Sequence, residues 1–203
     1  MLPSLGIIVT VVCWGAFILA WSAGWLYGYL KGPKTARKSS PVGLSILGAA
    51  AIYLLYRLVQ IFLPAGWAIP LPPWAQIAGG VLLVACTGLA LWSRLVLGTM
   101  WSNLPETKVG HELRTQGPYR ISRHPIYTGL IGMLLGSALL GGSIFWLAAT
   151  VAITLMLLLK IRQEEKLMLE TFGGEYERYR REVPQLLPGR QWLKPGGSRE
   201  KQA

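Results

Sequence analysis

The sequence predicts an all-α integral membrane protein, a bundle of about five membrane helices that includes a short C-terminal helical hairpin. Three observations point there. Hydrophobic residues make up 52% of the 203 and charged ones only 14%, where soluble chains carry about 25% charged. Residues 1–30, 58–93 and 124–159 contain no Asp, Glu, Lys or Arg, and about 20 apolar residues suffice to cross a bilayer as a helix. The basic residues cluster in alternate connections, which is the pattern of a multi-pass protein with a fixed orientation.

The first span covers residues 5–30, with Trp21, Trp25, Tyr27 and Tyr29 toward the end where amphipathic rings meet headgroups. It lacks a basic n-region and is too long for a signal-peptide core, so it is expected to be a retained helix. A short loop with Lys31, Lys34, Arg37 and Lys38 leads to a second span from Pro41 to about Leu63, interrupted only by Arg57. Snorkelling or a structural polar contact is the favoured reading of Arg57 over direct chemistry. Pro64, Pro70, Pro72 and Pro73, with Trp67 and Trp74, make a tight uncharged turn. A third span then returns to residues 92–98, where Arg94 is placed to snorkel.

Residues 99–125 form the first long polar connection and carry Lys108, Arg114, Arg120 and Arg123. The alternation of basic and uncharged loops predicts an outside N-terminus and a cytoplasmic C-terminus. It also explains the net charge of +11 as contact with anionic membrane lipids rather than with nucleic acid. Residues 126–140 come next, before Gly141 and Gly142, and span about 22 Å as a helix, short of a ~30 Å hydrocarbon core. The expected shape is a hairpin, tilted or incompletely spanning, with both ends on the cytoplasmic side. That shape brings residues 123–127 beside residues 160–165.

The last long helix is expected to continue into water until Gly173–Gly174 breaks it, followed by a second amphipathic turn with Tyr176 and Tyr179. Pro, Gly and charge dominate after Pro184, which predicts a disordered end. The chain is thus expected to divide into a three-helix region (residues 1–98), a candidate catalytic region (99–188) and a flexible tail (189–203).

The chemistry concentrates in residues 117–129, GPYRISRHPIYTG, a polar island at the foot of hydrophobic helices. Pro125 removes a backbone donor and disfavours helix at His124. Arg123 and His124 therefore lead into a helix N-terminus, where ligand groups bind. Tyr119 and Tyr127 add flat rings with polar tips. Such a set can hold a zwitterion, an adenine ring and sugar hydroxyls, although a helix cap and anchor without ligand would use the same residues. On a helix Glu165 neighbours Ile161, Arg162, Met168 and Leu169, so it is either paired with Arg162 or reserved for a polar ligand. Glu164 has a similar setting beside Lys160, and a surface ladder of ion pairs is the competing reading.

Several chemistries lack support. Cys13 and Cys86 both fall inside predicted spans, which argues against a disulfide framework or a metal site. There is no CxxC, HExxH, P-loop or GxGxxG signature. With only two His in the chain, no Ser-His-acid set is convincing.

GPYRISRHPIYTG, then RQEE about thirty residues on, then FGGEYERYRREVP, closely resembles the isoprenylcysteine carboxyl methyltransferase family, to which phospholipid methyltransferases are related. The resemblance covers roughly residues 115–188. It implies S-adenosylmethionine as cofactor in a cytoplasmic-side pocket lined by Gly117, Tyr119, His124, Pro125, Tyr127 and Gly129. Glu164 and Glu165 would bind the ribose or amino-acid end of the cofactor. Arg162 would lie near the substrate, so Arg162 and Glu165 are the implied catalytic residues, with no metal. The implied partner is a lipophilic acceptor, prenylated in the family's case, that arrives from the bilayer.

The residues themselves suit that transfer. Methylating a carboxylate is an in-line displacement by a group already ionised at neutral pH, so positioning does most of the work and no strong base is needed. Methylating a phospholipid amine, the alternative, would need Glu164, Glu165 or His124 as base. NADPH-dependent membrane sterol reductases carry a similar RHP block and FG..Y..Y tail, but Ile126 and the Glu pair after Arg162 depart from that pattern. A non-catalytic subunit that keeps the fold is the remaining alternative.

Overall fold

The computed structural model describes residues 3–31, 69–98, 113–142 and 144–186, and these residues are helical with no strand among them. Among the described residues five α-helices follow in order: α1 Pro3–Lys31, α2 Pro73–Leu97, α3 Pro125–Gly141, α4 Ile144–Phe172 and α5 Gly174–Glu182, with a 3-10 turn at Gly117–Arg120. Three stretches, Leu5–Gly24, Pro73–Leu97 and Trp146–Phe172, are long and apolar enough to cross a membrane, and α3 is a shorter apolar helix. The chain is an integral membrane helical bundle. The expected second span with Arg57 lies outside the described residues.

Local sequence sets the ends of these helices. Pro73 opens α2 at its first helical position, behind an extended Pro72, where a missing N–H costs nothing. Gly98 follows its end at φ 53, a conformation that Cβ sterics make costly for other residues. Pro125 opens α3 in the same way, with His124 held outside the helix at φ −124, ψ 59.

The tightest contact in the bundle is the crossing of α2 with α3. Lipid offers no hydrophobic drive for helix association, so close backbone approach through small residues has to supply it. Gly132 and Gly136 form a small-xxx-small pair with Gly129 beside them, and Gly79 answers from α2. A Cβ on Gly136 would lie 2.7 Å from Leu83 N and 2.8 Å from Gly79 O, and one on Gly129 would lie 2.9 Å from Cys86 O. The two backbones therefore touch. Leu83 and Met133 are fully buried beside this seam.

Helix α1 lays one strip on that pair, with Val9, Cys13, Trp14 and Phe17 packed against Leu83, Ala90, Met133 and Leu140. Trp14 Nε1 donates to Ser137 Oγ at 3.1 Å, so an indole inside the membrane keeps its hydrogen bond. The rest of α1 exposes Ile7, Ile8, Val11, Val12, Ile18 and Leu19, as a lipid-facing helix should. Arg94 does not snorkel as expected. It is 7% exposed, its Nη1 donates to Gly98 O at 2.8 Å, and its guanidinium lies where any Cβ on Gly24 of α1 would stand. The absence of a side chain at Gly24 is what lets the guanidinium turn inward.

Helices α3 and α4 form the expected hairpin. Gly142 caps α3 in the left-handed conformation, φ 57 and ψ 42, and its carbonyl accepts from Ile69 N at 2.6 Å. Equal numbers of residues separate this turn from Pro125 and from Lys160, so those two positions stand level and Glu164 and Glu165 fall one helical turn beyond. Gly173, at φ 52, ends α4 and folds α5 back. Tyr176, Tyr179 and Val183 then bury against Leu113, Met168, Leu169 and Phe172. Burial raises the phenols of Tyr176 and Tyr179 well above their ordinary pKa. Tyr179 Oη donates to Tyr119 O at 2.7 Å.

Candidate active site

The level of Pro125 is where the polar groups meet. Because Pro125 starts α3, His124 sits just outside its first turn and Tyr127 within it. The two rings stack at 5.7 Å with an interplanar angle of 11°. Helix α4 brings Glu164 and Glu165 opposite. Tyr127 Oη donates to Glu164 Oε1 at 2.6 Å. His124 Nε2 lies 3.3 Å from Glu165 Oε1, and His124 Nδ1 lies 3.7 Å from Glu164 Oε2. The imidazole is thus set between two carboxylates. Lys160, one turn up α4, places its Nζ 3.7 Å from Glu164 Oε1 and 5.5 Å from the centre of the Tyr127 ring.

Glu165 is 8% exposed, so its charge requires strong compensation. Arg123 supplies it. Nε donates to Glu165 Oε1 at 2.9 Å and Nη2 approaches the same oxygen at 2.7 Å. Arg123 Nη1 turns the other way and donates to Arg180 O at 2.8 Å and Val183 O at 2.6 Å, carbonyls at the C-terminal end of α5. The guanidinium thereby ties α4, α5 and the RHP segment together.

The chain beyond α5 completes the arrangement. Arg123 N donates to Pro184 O at 2.9 Å and His124 N to Gln185 O at 3.1 Å. Ser122 Oγ donates to Gln185 O at 3.0 Å, and Thr128 Oγ1 to Leu186 O at 2.8 Å. Residues 183–186 form a strap laid over the lead-in to α3.

Of the residues singled out from sequence, His124, Tyr127, Glu164 and Glu165 come together here. Pro125 is fully buried at the head of α3. The Tyr119 phenol lies within electrostatic reach of Glu164 and Arg94, and burial raises its pKa. Gly117 and Gly129 face elsewhere. A Cβ on Gly117 would meet Val96 and Trp92 of α2, and Gly129 belongs to the α2–α3 seam. Arg162 is exposed and makes no ion pair with Glu165, whose partners are Arg123 and His124. Sequence reasoning placed Arg123 at the entry to α3 but did not assign it as the partner of Glu165, and it passed over the strap. The signal for Arg123 was its position: a cation on the threshold of an apolar helix demands a partner. Nothing in Pro184–Gln185–Leu186 announces carbonyl acceptors, because every residue has one.

Chemically, the cluster has carboxylates, a phenol, an imidazole and two cations, and the two described cysteines lie apart in the helix packing. Among the described residues no group of three or more His, Cys, Asp or Glu is placed to hold a metal ion. The arrangement binds and orients charged or hydroxylated groups.

Residues 74–175 match the phospholipid methyltransferase family, a stretch that runs from α2 into α5 and contains the whole cluster. The chain belongs to that family. This membrane methyltransferase is 25% identical to the methanethiol S-methyltransferase of Mycobacterium tuberculosis over 90% of its own length and 78% of that protein's. It is 32% identical to the protein-S-isoprenylcysteine O-methyltransferase of Schizosaccharomyces pombe over 51% of its length, and spans less than half (46%) of that relative. Its fold resembles the solved eukaryotic intramembrane Ras methyltransferase, an isoprenylcysteine carboxyl methyltransferase, with a TM-score of 0.58 at 19% identity, covering 90% of this chain and 68% of that one. The expected likeness to isoprenylcysteine carboxyl methyltransferases is thus found in sequence and fold alike.

Proposed function

We propose that this family member binds S-adenosylmethionine at the His124–Tyr127–Glu164–Glu165 cluster and transfers its methyl group to the carboxylate of a lipophilic, isoprenylcysteine-like acceptor. The observation that carries this is the donor set. Glu164 is only partly buried, with 23% of its side chain exposed, so it remains open to a ribose hydroxyl or an ammonium group. Glu165 Oε1 takes Arg123 and His124, and Oε2 makes no hydrogen bond among the described residues. Tyr127, partly exposed, offers a flat ring against which an adenine can lie. These residues fit the cofactor.

When bound, S-adenosylmethionine supplies an electrophilic methyl on a sulfonium. The protein's own contribution is placement. Glu164, steadied by Tyr127, holds polar groups of the donor. Glu165 fixes His124 and Arg123 in orientation. Lys160, level with Pro125 and so on the bilayer side of the acids, is the cation that an acceptor carboxylate reaches first. Arg162 is placed further out, where it can attract an anionic acceptor from the headgroup layer. Positioning of this kind lowers the barrier of a reaction whose nucleophile is already ionised. The proposed orientation puts the cluster on the cytoplasmic side, following the basic loops.

The relative that matches 90% of the chain is a thiol methyltransferase, which supports a second reading with a small or lipophilic thiol as acceptor. A thiol needs proton removal at neutral pH, and His124 or Glu164 is placed for it. Calorimetry with S-adenosylhomocysteine on the detergent-solubilised protein tests the donor, with micromolar binding expected. Assays with a farnesylated cysteine analogue, methanethiol and phosphatidylethanolamine test the acceptor. Turnover of the thiol or the lipid amine alone would overturn the carboxylate assignment.

A further inference from the structure

The RHP segment is clamped from outside by a piece of chain some sixty residues away. Four bonds join them: the amides of Arg123 and His124 and the hydroxyls of Ser122 and Thr128 all donate to carbonyls of residues 184–186. A fifth connection passes through the Arg123 side chain, which holds Arg180 O and Val183 O with one nitrogen and Glu165 with the other two. His124 is fixed by the strap at its backbone N and faces Glu165 at its ring. No part of this set can shift without moving another.

We infer that the strap of residues 183–186 is a working part of the ligand site, and that Arg123 is the positioning residue that links strap docking to ligand binding at Glu164 and Glu165. This rests on the proposed cofactor site. If the strap leaves, Arg123 loses the Val183 carbonyl and the bond at its backbone N, the guanidinium that neutralises Glu165 is held less firmly in a poorly solvated place, and His124 loses the backbone bond to Gln185 O that aims its ring. Ligand affinity falls in consequence. By linkage, a ligand that needs the ordered cluster favours the docked strap by the same factor. A lysine at position 123 keeps the charge but lacks the planar fork that reaches acid and carbonyls together.

The test uses the full chain in detergent, with S-adenosylhomocysteine as the probe. Saturating probe is expected to slow hydrogen exchange at the amides of Arg123 and His124 at least tenfold. Arg123→Lys is expected to weaken probe binding at least tenfold and to raise the donor KM by a similar factor while kcat changes little. Mere loss of folded protein would lower kcat and leave KM alone. Thr128→Val removes the clamp on Leu186, together with the longer contacts of the same hydroxyl to His124 O and Ser122 Oγ, and leaves the Arg123–Glu165 pair untouched, so it covers the case in which the arginine variant does not fold. It is expected to speed exchange at Arg123 and His124 and to weaken the probe about threefold. Wild-type protein that binds the probe without slower exchange at those amides overturns the inference and leaves the site intact. Faster exchange in Thr128→Val at unchanged affinity does the same. Wild-type protein that does not bind the probe overturns the site itself, and the inference with it.

Discussion

Tyr127 and Glu164 are joined by a 2.6 Å hydrogen bond from phenol to carboxylate, between the first turn of α3 and the far arm of the hairpin. This bond is short and charge-assisted, and it decides which way Glu164 points. Tyr127→Phe should therefore weaken S-adenosylhomocysteine by about 10-fold, taking a hydrogen bond to a charged group as about 1.5 kcal/mol. The melting temperature should hardly move, because the ring and its stack on His124 remain. Calorimetry paired with a thermal melt checks this, and unchanged affinity would show that Glu164 is not a ligand.

Glu165 presents the opposite balance. Glu165→Gln leaves Arg123, 9% exposed at its side chain, with a buried and unmatched charge. Removing one partner of a buried pair costs about 3–5 kcal/mol, so the variant should melt much earlier as well as lose the ligand. A melting curve that matches wild type would mean that the Arg123–Glu165 pair is solvated in the membrane protein.

The seam between α2 and α3 makes a prediction that involves no ligand. In Gly136→Ala the new methyl meets backbone at Leu83 and Gly79, which cannot move as the tip of a side chain can. Overpacking of this sort costs about 1–3 kcal/mol, and the pair should separate or tilt. Thermal denaturation in detergent would show it. Gly80→Ala on the facing helix α2, where the nearest atom is a Leu140 methyl at 3.7 Å, is expected to be neutral.

Lys160 separates donor from acceptor. Lys160→Met should leave S-adenosylhomocysteine affinity within about twofold, since the ammonium is half-exposed and exposed pairs are worth about 0.2–1 kcal/mol. The KM for an acceptor carboxylate should rise about tenfold. Equal effects on both ligands would move Lys160 into the donor site.

Orientation has its own experiment. Trp74→Cys, at the exposed start of α2, should react with a membrane-impermeant maleimide from outside in intact cells, and Glu175→Cys on α5 only after lysis. The reverse pattern would invert the bundle.

Much of this protein could be read from residue order. The apolar runs located α1, α2 and the hairpin arms, and Gly141–Gly142 and Gly173–Gly174 marked the breaks that α3, α4 and α5 observe. His124, Tyr127 and the two glutamates were legible as a set because the hairpin's arm lengths bring them level. Pairings between distant segments were not. Arg162 stands three residues from Glu165 and looked like its partner, yet Arg123, far off in sequence, is nearer in space. Gly129 reads as a ligand-lining residue in the motif, but only the fold shows it against the Cys86 carbonyl. Arg94 looked free to reach water, and the gap at Gly24 that turns it inward belongs to another helix.

The strap also has a bearing on how the protein is made. Arg123 leaves the ribosome some forty residues before Glu165 and sixty before Val183. The first arm of the hairpin is thus made while the charge on its threshold still lacks both its acid and its carbonyls. Water and lipid headgroups have to hold that charge in the meantime. Insertion comes first and assembly of the cluster second, so a damaged C-terminal strap would yield a protein correctly threaded through the membrane whose cluster never closes.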